Sequence, residues 1–185
     1  RQLQRPRLRR AQVAEADASK IARLADSNYT AALMLAGKTG SGNLSLAAEQ
    51  ERFNLFREWM RRCFTIAGNL KDYDKLLDVI PSLLGDGSRE KQKEMLAYGL
   101  EMFRICLQYN VGNQHLVKLD GDELAFVKNF SPFIHPQNIE KFDEEFNRAI
   151  FHIERNANAQ LVLTDLSHLI ARILKIPAAP VAKKA

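Results

Sequence analysis

Gly37-Lys38-Thr39 has the form of the closing residues of a phosphate-binding loop. Such a loop needs a glycine five residues earlier and a strand in front, so that the N–H groups of the turn converge on the phosphates. Position 32 is alanine and the preceding residues read as helix, so no nucleotide site is expected there. His115, His135, His152 and His168 form no HExxH pattern and join neither cysteine at a zinc-type spacing. They read as structural or surface histidines. Asp143-Glu144-Glu145 stands between Phe142 and Phe146, the pattern of a solvated helix face rather than of an acid–base pair or metal site. Neither serine nor cysteine occupies a nucleophile-elbow context. The residues thus predict no catalytic group, no metal, no cofactor and no small-molecule substrate.

Charge is concentrated at the ends. Arg1, Arg5, Arg7, Arg9 and Arg10 place five cations in the first ten residues, and Lys183 and Lys184 add two near the other end. Against a net charge of +5, residues 11–182 therefore carry a net −2. A basic arm can hold phosphates nonspecifically by releasing counterions. It can equally be a solvated linker from a preceding domain. Arg5, Arg7, Arg9 and Arg10 are the candidate phosphate contacts in the first case. The aromatic residues follow core spacing and are not interleaved with Lys and Arg, which argues against a platform for stacking single-stranded bases.

Helices must position whatever the chain uses. No segment alternates apolar and polar residues for long enough to make a strand, and no repeat of 20–50 residues recurs. Residues 12–25 and 29–36 read as two short helices separated by Asp26-Ser27-Asn28. The Gly-rich stretch from Gly37 to Asn43 reads as a linker. A long helix is predicted over 45–67, with Phe53, Phe56, Met60, Cys63, Phe64 and Ala67 on one face. Leu55, Trp59 and Ile66 widen that face, so two packing sides are expected. The next helix is predicted over 72–84, with Leu76, Leu77, Ile80 and Leu84 inward and Pro81 kinking or stopping it.

A helix over 89–109 follows, with Ser88 as its N-cap and Gly112 as its stop. Asp120 or Asp122 should cap a short helix reaching Phe130, and Pro132 and Pro136 bracket an irregular Phe133-Ile134-His135. Helices over 138–156 and 159–175 close the pattern, with Ile139, Phe142, Phe146, Ala149, Ile150 and Ile153 inward in the first. Leu163, Leu166, Ile170 and Ile173 or Leu174 face inward in the second. Pro177 and Pro180 then leave a loose tail. The predicted fold is all-α: a small two-helix N-terminal piece, then a five- or six-helix bundle.

Composition agrees with a globular chain: 185 residues, 46% hydrophobic, 26% charged, and only 9 Gly and 6 Pro. A chain of this size can bury enough surface to need no disulfide or metal staple. No apolar run approaches the ~20 residues of a membrane span, and no signal peptide is read at the Arg-rich start. Cys63 and Cys106 lie within apolar helical patterns, as expected of free thiols in a reducing, cytoplasmic setting.

Two stretches carry a family resemblance. Residues 21–35, a small-residue turn followed by a helix that carries the pair Ala32-Leu33, resemble the end of the lid domain of AAA+ clamp-loader subunits. Phe126-Val-Lys-Asn-Phe-Ser-Pro-Phe-Ile134 and Ile153–Leu166 are similar to the collar domain of the delta-prime subunits of bacterial DNA polymerase III. Phe53–Cys63 resembles the first collar helix of that group. The resemblance spans about residues 12–175. It implies a basic arm at 1–10, the end of a lid at 11–37, a linker at 38–44, a collar at 45–176 and a tail at 177–185.

The resemblance also implies a bacterial cytoplasmic protein that catalyses nothing itself and supports sliding-clamp loading in DNA replication. Its partners would be the other clamp-loader subunits in a hetero-oligomeric ring, with DNA reached only through the complex. Motor subunits of that family place a phosphate-sensing arginine two residues before the Ala-Leu pair. Here that residue is Thr30, which cannot supply the charge. In a collar, the long and last helices would offer apolar surface to neighbours. Phe53, Trp59, Leu163 and Leu166 are the candidates on those helices, with Asn156 and Asn158 orienting the last one. The alternative is a free-standing helical adaptor whose arm docks nucleic acid or an acidic partner.

Overall fold

The computed structural model describes residues 42–178 other than 70, 72 and 118. All regular structure among the described residues is helical, as the pattern predicts. Helix α1 spans Gly42–Gly68, α2 Tyr73–Leu77, α3 Ile80–Leu84, α4 Arg89–Asn110, α5 Gly121–Phe130, α6 Ile139–Glu154 and α7 Ala159–Ile173. Short 3-10 turns occupy Gln114–Leu116 and Ser131–Phe133. The predicted lid helices, Thr30, Ala32, the Gly37-Lys38-Thr39 turn and the arginine arm lie outside the described residues.

Backbone contacts divide the chain into residues 1–54 and residues 55–185. The described part of the first unit is the opening of α1. Arg52 there meets the Glu49 carboxylate at 3.1 Å, and Gln50 Nε2 donates to Asn54 Oδ1 at 3.5 Å. These are pairs three and four residues apart on one helix face. The helix starts at Gly42, earlier than predicted, which takes residues 42–44 out of the expected linker. Glycine and asparagine are both tolerated at a helix start.

The second unit is organised around α4. Met95, Leu96, Gly99, Leu100, Phe103 and Cys106 turn inward at spacings of one, three and four, while Glu94, Glu101 and Arg104 face solvent. α4 packs on α6, on α5 and on the Ser131–Phe133 turn; α7 packs on α6 and α3. The Phe103 ring sits at the centre, 4.4 Å from Phe142, 5.2 Å from Phe146 and 5.8 Å from Phe56 between centroids. These separations suit tilted and edge-to-face aromatic contacts.

Stops and caps follow local chemistry. Gly112 adopts φ +90° after α4, its N–H bonds Tyr109 O, and Asn113 N–H reaches back to Gln108 O at 3.0 Å. That is the six-to-one closure that only a left-handed residue permits. The irregular connection at 134–138 is held by two amides. Asn138, fully buried, accepts from His135 N–H at 3.0 Å and donates to Phe133 O at 2.8 Å. Asn110 Nδ2 donates to Ile134 O at 2.7 Å. The backbone polar groups of this non-helical link thus find partners inside the fold.

Three expectations are corrected. The helix predicted over 72–84 is two short ones, because Pro81 lacks an N–H and starts α3 instead of continuing α2. The break rotates the register, so Leu83 is buried in place of Leu84, and Leu77 is 40% exposed. On α1, Trp59 and Ile66 join the core, whereas Phe64 is 44% exposed.

Candidate interaction surface

α1 and α5 form the two walls of an apolar groove within the second unit. Phe64 on α1 meets Phe133 edge-on at 4.7 Å between centroids. Phe126 and Phe130, one turn apart on α5, stack at 5.0 Å, and Phe130 approaches Phe133 at 6.1 Å. The space between these rings is about 570 Å³ and opens to solvent. Its rim is polar: Arg57 and Arg61 stand on the α1 side and Asp122 and Asn129 on the α5 side. Arg57 Nη1 lies 3.9 Å from the Asp122 carboxylate, a loose exposed pair worth little by itself. An aromatic floor with a few polar groups at the edge is the usual make-up of a recognition site.

A smaller hollow of about 300 Å³ separates α6 from α7. Arg148 spans it, 3.9 Å from Asp165 and paired with Glu145, so its charges are already matched. Exposed Phe151 is covered on one face by the Arg155 guanidinium, 4.1 Å from the ring centroid. Neither place offers an uncovered aromatic floor.

The residues expected to meet a partner fall elsewhere. Phe53, Trp59, Leu163 and Leu166 are 0–2% exposed and belong to the chain's own core, so their assignment to partner contact is corrected. Trp59 packs on Phe146 at 5.7 Å and donates through Nε1 to Ser167 Oγ at 2.7 Å. Ser167 in turn donates to Leu163 O at 2.6 Å. Asn156 and Asn158 are exposed and work on the backbone. Asn156 takes φ +65°, and the next N–H, Ala157, reaches His152 O at 3.0 Å, which closes α6. Asn158 starts α7 by accepting from Leu161 N–H at 3.2 Å. Asn158→Ala is therefore expected to cost about 1 kcal/mol, read as a lower denaturant midpoint with an unchanged slope. An unmoved midpoint would show that the cap contributes nothing.

No family model, curated protein or solved structure matches this chain. Chemistry must therefore be read from the groups themselves. His135 is buried, and its Nε2–H donates to Ile176 O at 3.0 Å. His168 stacks on Tyr73 at 4.9 Å between centroids, and His115 and His152 are exposed. Among the described residues no three His, Cys, Asp or Glu side chains gather to hold a metal ion. Asp143 pairs with Arg104 at 3.2 Å and Glu145 with Arg148, while Glu144 faces solvent. Burial pushes the Cys63 thiol far up and the Cys106 thiol up to about 12. Both stay protonated near neutral pH, and a thiol is a poor nucleophile compared with its thiolate. No described helix is long and apolar enough to cross a membrane.

Sequence reasoning missed the groove. The signal was present in Phe126, Phe130 and Phe133 at i, i+4 and i+7, a stripe that matches one helix face. Nothing local says that Phe64, sixty residues earlier, faces the same space.

Proposed function

We propose that this chain is a non-catalytic helical oligomerisation module, the C-terminal part of a clamp-loader subunit of the delta-prime kind. In that role it supports sliding-clamp loading in bacterial DNA replication by fixing the place of one subunit beside the next. The resemblance of residues 12–175 to lid and collar segments supports the reading. The structural observation that carries it is apolar surface beyond what the core consumes: Phe64, 44% exposed, over a groove floored by Phe126, Phe130 and Phe133. A collar has to spend such surface on its neighbours, since specific interfaces draw their strength from a few aromatic anchors in pockets.

The test is capture of purified motor subunits by the wild-type chain and by Phe64→Ala. Phe64 is half exposed, so the variant should keep its circular dichroism spectrum. Loss of an anchor worth about 2 kcal/mol lowers affinity roughly 30-fold. Equal capture by both chains excludes the groove as the collar contact, and no capture by either removes the clamp-loader reading.

A further inference from the structure

The two walls of the aromatic groove run side by side in the same direction. At one end Arg57 Nη1 lies 3.9 Å from the Asp122 carboxylate, and at the other Phe64 meets Phe133 at 4.7 Å. The stretch of α1 from Arg57 to Phe64 therefore spans the groove, a rise of about 10 Å or two helical turns.

The walls decide what can lie there. Both are α-helices, whose backbone N–H and C=O groups are used within the helix, so neither offers an edge for an added strand. The rings are all phenylalanine and lack the donor that Tyr or Trp would carry. An extended or polyproline segment would lay unpaired backbone groups on rings that cannot bond them. A helix satisfies its own backbone and presents only side chains. Apolar residues at i, i+4 and i+7 of such a helix cover two turns of one face, which matches the groove in length.

The rim sets the charge of the occupant. Glu58 closes on Arg62 Nε at 2.7 Å and meets Arg61 Nη1 only at 3.7 Å. The Arg61 side chain stays 78% exposed on the α1 wall, one turn before Phe64. Asp122 on the α5 wall already faces Arg57. The lining thus holds two arginines to one aspartate, with the excess positive charge on the α1 side. We propose that the groove receives two turns of an acidic amphipathic helix from another protein. Its apolar side chains seat among Phe64, Phe130 and Phe133, and a carboxylate lies beside Arg61. That this protein is a neighbouring subunit rests on the function proposed above; the helix and its charge rest on the groove alone.

The probe is a designed peptide, stapled on its outer face to hold a helix, with leucine at i, i+4 and i+7 and glutamate along one flank. Binding to the full chain is read by fluorescence anisotropy at low salt. A lysine-flanked version should bind roughly fivefold more weakly, and Arg61→Glu should reverse that preference. Both effects should shrink as salt is added. Phe64→Ala should weaken the glutamate peptide at least about tenfold, and an unstapled version with proline at its middle should not compete. The proposal falls if no peptide binds, if glutamate and lysine versions bind equally, or if the proline version binds as well. It falls too if the chain alone dimerises in sedimentation and Phe64→Ala abolishes the dimer, because the occupant is then a second copy. No motor subunit enters this test, so it and the capture assay can each fail without the other.

Discussion

Trp59→Ala is expected to remove about 3–5 kcal/mol of folding stability, a large part of the roughly 5–15 kcal/mol a domain possesses. Trp59 has no exposed surface, packs on Phe146 and donates to Ser167 Oγ. Truncation leaves an indole-sized void between α1, α6 and α7 that surrounding side chains fill only in part. It also strips Ser167 of its donor, while Ser167 keeps its own bond to Leu163 O. Trp59→Phe separates these effects. It retains most of the ring volume and loses the hydrogen bond, so it should cost nearer 1 kcal/mol. Urea unfolding followed by far-ultraviolet circular dichroism measures both. A Trp59→Ala midpoint equal to wild type would show that α1 does not contribute to this core.

Gly99→Ala is expected to destabilise the chain by about 1–3 kcal/mol, the opposite of the usual effect in mid-helix. Alanine normally gains about 1 kcal/mol over glycine there through backbone entropy. At this position a Cβ would lie 2.7 Å from Phe146 Cε1 and 3.2 Å from Phe56 Cε2. Both rings are fully buried and both abut Phe103, so neither can retreat without moving a third ring. Close packing makes such overfilling expensive. Overpacking should thus outweigh propensity. A midpoint shifted upward would mean that α4 and α6 separate freely, contrary to the contact drawn between them.

Much of the architecture was legible from local chemistry. The stripe Phe142, Phe146, Ala149 and Ile153 is the buried face of α6, and Leu163, Leu166 and Ile170 that of α7, whereas Ile139 and Ile150, inward by the same spacing, are only half-buried at the edge of the α6 stripe. Ser88 stands at the N-cap position of α4, though its hydroxyl makes no cap bond, and Gly112 ends that helix. Periodicity and stops are short-range properties, decided by residues within one or two turns. Pro81 marks a kink or stop by its missing N–H alone, but the register beyond it is not local, because a helix that restarts rotates every later side chain.

The sequence by itself determined the helical class, the helix stripes and the stops, since each depends on neighbours a few residues away. Tertiary structure alone decided which apolar faces are consumed. Trp59 and Leu163 look equally available for a partner in a helical pattern, yet a hydrogen-bonded chain through Ser167 ties Trp59 to the Leu163 backbone inside the core. Phe64 reads as core by its spacing, yet remains half exposed beside Phe133. A helical period says which residues share a face. Whether that face is covered depends on elements sixty to a hundred residues away, and that pairing is written in no local pattern.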